Sequence, residues 1–146
     1  MEIRIKTFQE LETTELYDIL QLRSEVFVVE QNCVYQDLDG KDKLAFHVIG
    51  SKDDKVVAYT RVFKPGDYFK QASIGRVVVL NTERHFGYGL DIMKASIQFI
   101  RITFGELPIH LSAQKYLMKF YSSLGFEAIG EEYLEDGIPH IGMKMN

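Results

Sequence analysis

The chain has 146 residues, 46% hydrophobic and 26% charged, ordinary values for a globular domain that disfavour disordered, collagen-like and membrane-spanning classes. That length can bury a sizeable core without staples and points to one domain, residues 1–146. With 17 basic and 21 acidic residues the formal net charge is −4, which disfavours a nucleic-acid partner and suits a cationic substrate such as an amine.

A single cysteine, Cys33, cannot close an internal disulfide, and its neighbours offer no metal-ligand spacing. Residues Met1–Glu10 lack the apolar run of a signal peptide. The expectation is a cytoplasmic protein with no metal and no membrane partner.

In chain order, Ile3 and Ile5 alternate with Arg4 and Lys6 as in a short strand. Thr13 and Thr14 offer an N-cap for a helix whose apolar positions Leu16, Ile19, Leu20, Val26 and Phe27 recur at helical spacing, interrupted by Arg23. Residues 28–44 keep neither period and crowd Glu30, Asp37, Asp39 and Asp42 around Gly40. A connection of this length is usually functional or disordered. A calcium loop is excluded by spacing, since Tyr35 and Phe46 would fall on its first and twelfth ligand positions.

Residues 45–51 and 55–63 read as a hairpin around Lys52-Asp53-Asp54. Residues 74–80 are the most continuous β-branched run, as expected of a central strand covered on both faces. A largely buried helix follows over 90–104, with Gly105 to cap it, then a strand over 107–113 and a short helix over 116–123 closed by Gly125. Strands at 126–130 and 138–145 flank Glu135-Asp136-Gly137, a strong turn signal.

Between the central strand and the long helix lies Arg84-His85-Phe86-Gly87-Tyr88-Gly89. Unpaired N–H groups at a helix start can hold an anion, glycines admit a close backbone approach, and Arg84 adds a charged fork. The stretch reads as a phosphate cradle. It is not a P-loop, and Gly-x-Gly-x-x-Gly fails because Ile92 stands at the last glycine.

The cradle resembles Arg/Gln-x-x-Gly-x-Gly/Ala, the pyrophosphate loop of the GCN5-related N-acetyltransferases (GNAT family), matched by Arg84, Gly87 and Gly89. Phe120-Tyr121-Ser122-Ser123-Leu124-Gly125-Phe126 is similar to the aromatic-Tyr-x-x-x-Gly-Phe pattern ending the family's fourth helix. Two motifs in the right order are far more specific than either alone. Leu22–Gln31, Tyr35–Asp42 and Asp136–His140 look like the ElaA-like branch of the family. The resemblance implies a layered α/β GNAT fold, a mixed and mostly antiparallel sheet of about seven strands with helices on both faces. The family's second helix would be reduced to the long loop.

Acetyl-CoA is the implied cosubstrate. Backbone groups of Val77, Val78 and Val79 would pair with the pantetheine arm, and Arg84, His85, Phe86, Gly87, Tyr88, Gly89 and Leu90 would wrap the pyrophosphate. Gln114 would hydrogen-bond the arm or else be a surface residue at a helix start. Tyr121, protonated at neutral pH, suits the general acid for the departing thiolate. For the base, Glu25, Glu30, Asp37, Asp39, His47 and His140 all stay open, and the acidic crowding at 30–42 is alternatively an amine-binding rim. The expected activity is acetyl transfer to a primary amine of a small molecule or peptide, and a homodimer is compatible with the chain. The competing readings are a non-catalytic coenzyme A sensor of the same shape and a nucleotide- or sugar-phosphate-binding enzyme.

Overall fold

The computed structural model describes residues 1–146. The strands are β1 (Glu2–Thr7), β2 (Phe46–Lys52), β3 (Lys55–Phe63), β4 (Ala72–Val79), β5 (Ile109–Gln114), β6 (Glu127–Glu135) and β7 (Ile138–Met145), and the helices are α1 (Thr13–Arg23), α2 (Tyr88–Phe104) and α3 (Met118–Ser123). One seven-stranded sheet runs in the order β1-β2-β3-β4-β5-β7-β6. Every pairing is antiparallel except β4 with β5. The β2–β3 and β6–β7 hairpins turn on Asp53-Asp54 and Asp136-Gly137, all four at positive φ, as the twist of two-residue hairpins demands.

Helices cover both faces. On one, Ile92, Met93 and Ile100 of α2 and Tyr121 of α3 pack on Val48, Ala58, Val62 and Ile74. On the other, Ile19 and Leu22 of α1 pack with Val26 and Phe27 on Ile49, Val56, Tyr59 and Val78. Neighbouring strand residues such as Val48 and Ile49 therefore serve opposite cores, the consequence of period-two side-chain alternation. No helix is long and apolar enough to cross a membrane.

The structure departs from the sequence expectation in several places. Glu12, not a threonine, occupies the cap position of α1, which starts at Thr13. Past Arg23 the helix continues as a π-helix over Ser24–Glu30, into the stretch expected to be loop. Wider i→i+5 turns shift the apolar face, so the 3.6-residue period is lost although the coil continues. The strand buried on both faces along its length is β3, where Val56–Phe63 are all buried. In β4, Gly75, Arg76, Val77 and Val79 are only half-buried. Strand β6 runs to Glu135 rather than Gly130. Exposed almost throughout, it has no buried face to impose alternation, and pairing with β7 alone makes it a strand.

A bulge in β4 opens the sheet. Its pairing with β3 jumps from Arg61↔Gly75 to Tyr59↔Val78, so Arg76 and Val77 together oppose Thr60, with Arg76 at φ 49°. On its other side β4 pairs with β5 only at Ala72↔Ile109 and Ser73↔His110. Beyond Ser73 the two strands part, leaving the β4 edge unpaired.

Candidate active site

A cleft of about 530 Å³ occupies the gap between the parted strands. One wall is Ile74–Val79 of β4 and the other is Leu111, Ser112 and Gln114 of β5. Gly87, Gly89 and Leu90 at the start of α2 close one end, with Phe120 and Tyr121 beside them. Glu135, Asp136, Ile138 and His140 of the β6–β7 hairpin also line it. Two contacts join residues of the lining: the Gln31 and Gln114 side-chain amides exchange hydrogen bonds at 3.4 and 3.3 Å, and Cys33 Sγ donates to Asp136 O at 3.3 Å.

The β4 edge is polar and available. Leu80 N–H bonds across to Val57 O at 2.8 Å, so the Val79 carbonyl in the same trans peptide points away from β3, off the sheet edge. There Arg84 Nε donates to it at 3.1 Å. A ligand with its own amides can add to such an edge as another strand would.

The cradle follows directly. Asn81–Phe86 wind as a 3₁₀ helix, Gly87 turns the chain at φ 77°, and the first intrahelical bond of α2 is Asp91 N–H to Gly87 O at 3.2 Å. The amides of Tyr88, Gly89 and Leu90 precede that bond, and no side chain caps them, so they are orphan donors, of which Gly89 and Leu90 belong to the cleft lining. Gly89 sits under the Phe120 ring, where an added Cβ would lie 3.5 Å away. The two sequence motifs thus meet in space. Arg84 is held by Glu30 of the π-helix in an ion pair at 2.7 Å.

Tyr121 is 5% exposed and lines the cleft. Its hydroxyl is not among the sealed, partnerless polar atoms, which are Arg61 Nε and Ser73 Oγ, and it has no hydrogen bond within the chain. Burial pushes its phenol above the usual range, so it keeps its proton through neutral pH.

Among the residues singled out from sequence, Val77, Val78, Val79, Arg84, Gly87, Gly89, Leu90, Gln114, Tyr121, Glu30 and His140 come together around this cleft. His85, Phe86 and Tyr88 do not line it; the Phe86 ring packs tilted against His85 and lies beneath Lys52, whose Nζ is 4.0 Å from the ring centre. Glu25 faces a separate depression shared with Asp18 and Asp54. His47 is wholly buried, Nδ1 against Tyr59 Oη at 2.6 Å and Nε2 against Asp42 O at 2.9 Å. With both nitrogens engaged inside the core it cannot take a substrate's proton.

The acidic loop also differs from its expected role as a base or an amine-binding rim. Asp37 receives Arg23 Nε at 2.9 Å and Arg76 Nε at 2.7 Å; Asp42 receives Arg23 at 2.8 Å and Arg61 at 3.0 Å; Asp39 receives Arg61 at 2.8 Å. Arg23 is 0% and Arg61 1% exposed. The Asp37 and Asp42 carboxylates are buried against these guanidiniums, and Asp39, at the surface, is held by Arg61. Arg23, the charge interrupting the apolar stripe of α1, was the sequence signal of this network. Glu135, which borders the cleft beside His140, had no comparable signal.

Comparison with known proteins agrees with this architecture. The family model described as acetyltransferase (GNAT) domain matches residues 9–146, and the chain belongs to the GNAT family. That places it in the class of acyl-CoA-dependent N-acyltransferases. Within it, the chain is 45% identical to ElaA of Escherichia coli strain K12 over 136 residues, 92% of this chain and 89% of that protein. The crystal structure of Escherichia coli ElaA superposes with a TM-score of 0.92 at 40% identity, and an acyl-CoA N-acyltransferase from Pseudomonas aeruginosa with 0.94 at 40%, each over 100% of both chains.

Proposed function

We propose that the protein transfers an acetyl group from acetyl-CoA to a primary amine of a small molecule or peptide by direct attack. One observation carries this reading: the unpaired β4 edge, the uncapped start of α2 and Tyr121 line one cleft. The pantetheine amides would add to the edge at Val77–Val79, and the pyrophosphate would sit on the amides of Tyr88, Gly89 and Leu90. Arg84 would turn part of its fork from Glu30 to the phosphates. A backbone N–H near Val79 would stabilise the oxyanion, and Tyr121 would protonate the departing thiolate. The lone cysteine fits a reducing, cytoplasmic setting.

Free-thiol release from acetyl-CoA across a panel of primary amines tests the proposal. Tyr121→Phe is expected to lower kcat roughly 10²- to 10⁴-fold. Because the hydroxyl has no partner to orphan, the melting temperature should stay within a degree or two. Tight acetyl-CoA binding with no release above background for any amine would favour the non-catalytic coenzyme A-binding alternative.

A further inference from the structure

The β6–β7 hairpin carries a histidine–carboxylate pair built into the cleft wall. Its two-residue turn pairs Glu135 with Ile138 and Tyr133 with His140, which puts all four side chains on the same face of the ribbon. His140 Nδ1 is 2.7 Å from Ile138 O. A carbonyl only accepts, so Nδ1 carries the hydrogen, and in the neutral ring Nε2 is left with a lone pair. That nitrogen lies 3.3 Å from Glu135 Oε2, longer than a charge-assisted hydrogen bond of about 2.7–2.9 Å. With the ring neutral, two acceptors thus stand side by side with no donor between them. The ring is 7% exposed and packs against Tyr133, whose hydroxyl is in turn hydrogen-bonded to Ser112 Oγ on β5. The imidazole is therefore held by the Ile138 carbonyl and the Tyr133 ring, while the Glu135 carboxylate stays half exposed at the cleft.

We infer that Glu135 and His140 form the acceptor-binding pair, taking a primary ammonium whose N–H groups satisfy the carboxylate and Nε2 together. The inference rests on the acetyltransferase reading above and assigns it an acceptor site. One ammonium proton passes to His140 Nε2, and the resulting imidazolium donates to Ile138 O and to Glu135. The freed nitrogen lone pair attacks the thioester carbonyl. The C–N bond forms and the C–S bond breaks through a tetrahedral intermediate. The thiolate takes the Tyr121 proton, and the second proton shed by the nitrogen restores Tyr121. The proton on His140 leaves to solvent, so the balance is ammonium plus thioester to amide, thiol and one proton. Glu30, which also lines the cleft, is paired with Arg84 in the unliganded chain and would keep part of that fork when the phosphates bind.

The test reads His140 directly. Protein labelled with ¹⁵N-histidine, saturated with coenzyme A and assigned with His140→Gln, is titrated with n-butylamine hydrochloride, spermidine and a lysine peptide, with n-butanol as uncharged control. At least one amine should shift the His140 ring nitrogens, n-butanol should not, and Glu135→Gln should weaken the amine roughly tenfold or more. Acetyl-CoA binding should be unchanged in Glu135→Gln, a substitution at an exposed carboxylate. No His140 response to any amine, or equal amine affinity in Glu135→Gln, in protein that binds acetyl-CoA, would overturn the inference and leave the cofactor assignment standing. Wild-type protein that failed to bind acetyl-CoA would overturn both.

Discussion

Gly87 and Gly89 look alike in the sequence and do different work. Gly87 turns the chain at φ 77° in open space, so its requirement is conformational. Gly89 has no positive φ, and an added Cβ would rest in ordinary contact 3.5 Å from Phe120, so the fold itself does not demand glycine there; under the proposed function its role is to let a ligand approach the backbone closely. Gly87→Ala is expected to lower stability by about 1–2 kcal/mol, the cost of a left-handed Cβ-bearing residue. Gly89→Ala should leave the unliganded protein as stable or slightly more so, helix interiors favouring alanine by up to about 1 kcal/mol, while reducing its stabilisation by acetyl-CoA. Thermal melts with and without acetyl-CoA separate the two, and the opposite ranking would contradict these roles.

At the scale of elements, the long loop is fastened by side-chain charge instead of backbone pairing. Residues 33–39 have no regular secondary structure, yet Asp37, Asp39 and Asp42 tie the loop to Arg23 on α1, Arg61 on β3 and Arg76 at the β4 bulge. Asp42→Ala leaves two buried guanidiniums short of a carboxylate and is expected to cost about 3 kcal/mol by chemical denaturation. The pH dependence has two stages. Burial holds the His47 imidazolium disfavoured, so its pKa lies below the ordinary 6.5; the unfolded chain takes up a proton there first, and stability is lost as pH falls below about 6.5. Burial works to raise Asp39, but the hydrogen bond from Arg61, the Lys41 amide and the nearby guanidinium charges outweigh it and hold the group at about 2. Its contribution is present above 3.8 and disappears as pH falls from there towards about 2. Urea midpoints across pH should show both stages, and His47→Gln should flatten the first.

For the whole molecule, the β4 bulge converts a closed sheet into one with a built-in slot, and the ligand is expected to complete it. A ligand that binds only the folded state stabilises it by about 2.7 kcal/mol at a hundredfold excess over Kd. For a chain of this size that is a rise in Tm of roughly 5–10 °C. Acetyl-CoA should give such a shift, and ATP and NAD should not. The reverse would restore the nucleotide-binding alternative.

Local chemistry made much of this legible in advance. Period-two and 3.6-residue patterns located the strands and long helices, Asp136-Gly137 marked a hairpin, and the Arg84–Gly89 and Phe120–Phe126 motifs pointed to the acetyltransferase family. These are properties of neighbouring residues, which a sequence displays directly. What only the tertiary structure decided involves residues far apart in the chain. It tied Asp37, Asp39 and Asp42 to Arg23, Arg61 and Arg76, sealed His47 between Asp42 and Tyr59, and removed Glu25 to another surface. It also set Glu135 beside His140, through a hairpin register that no local pattern displays. A carboxylate's role depends on what faces it, and burial and partners exist only once the chain has folded.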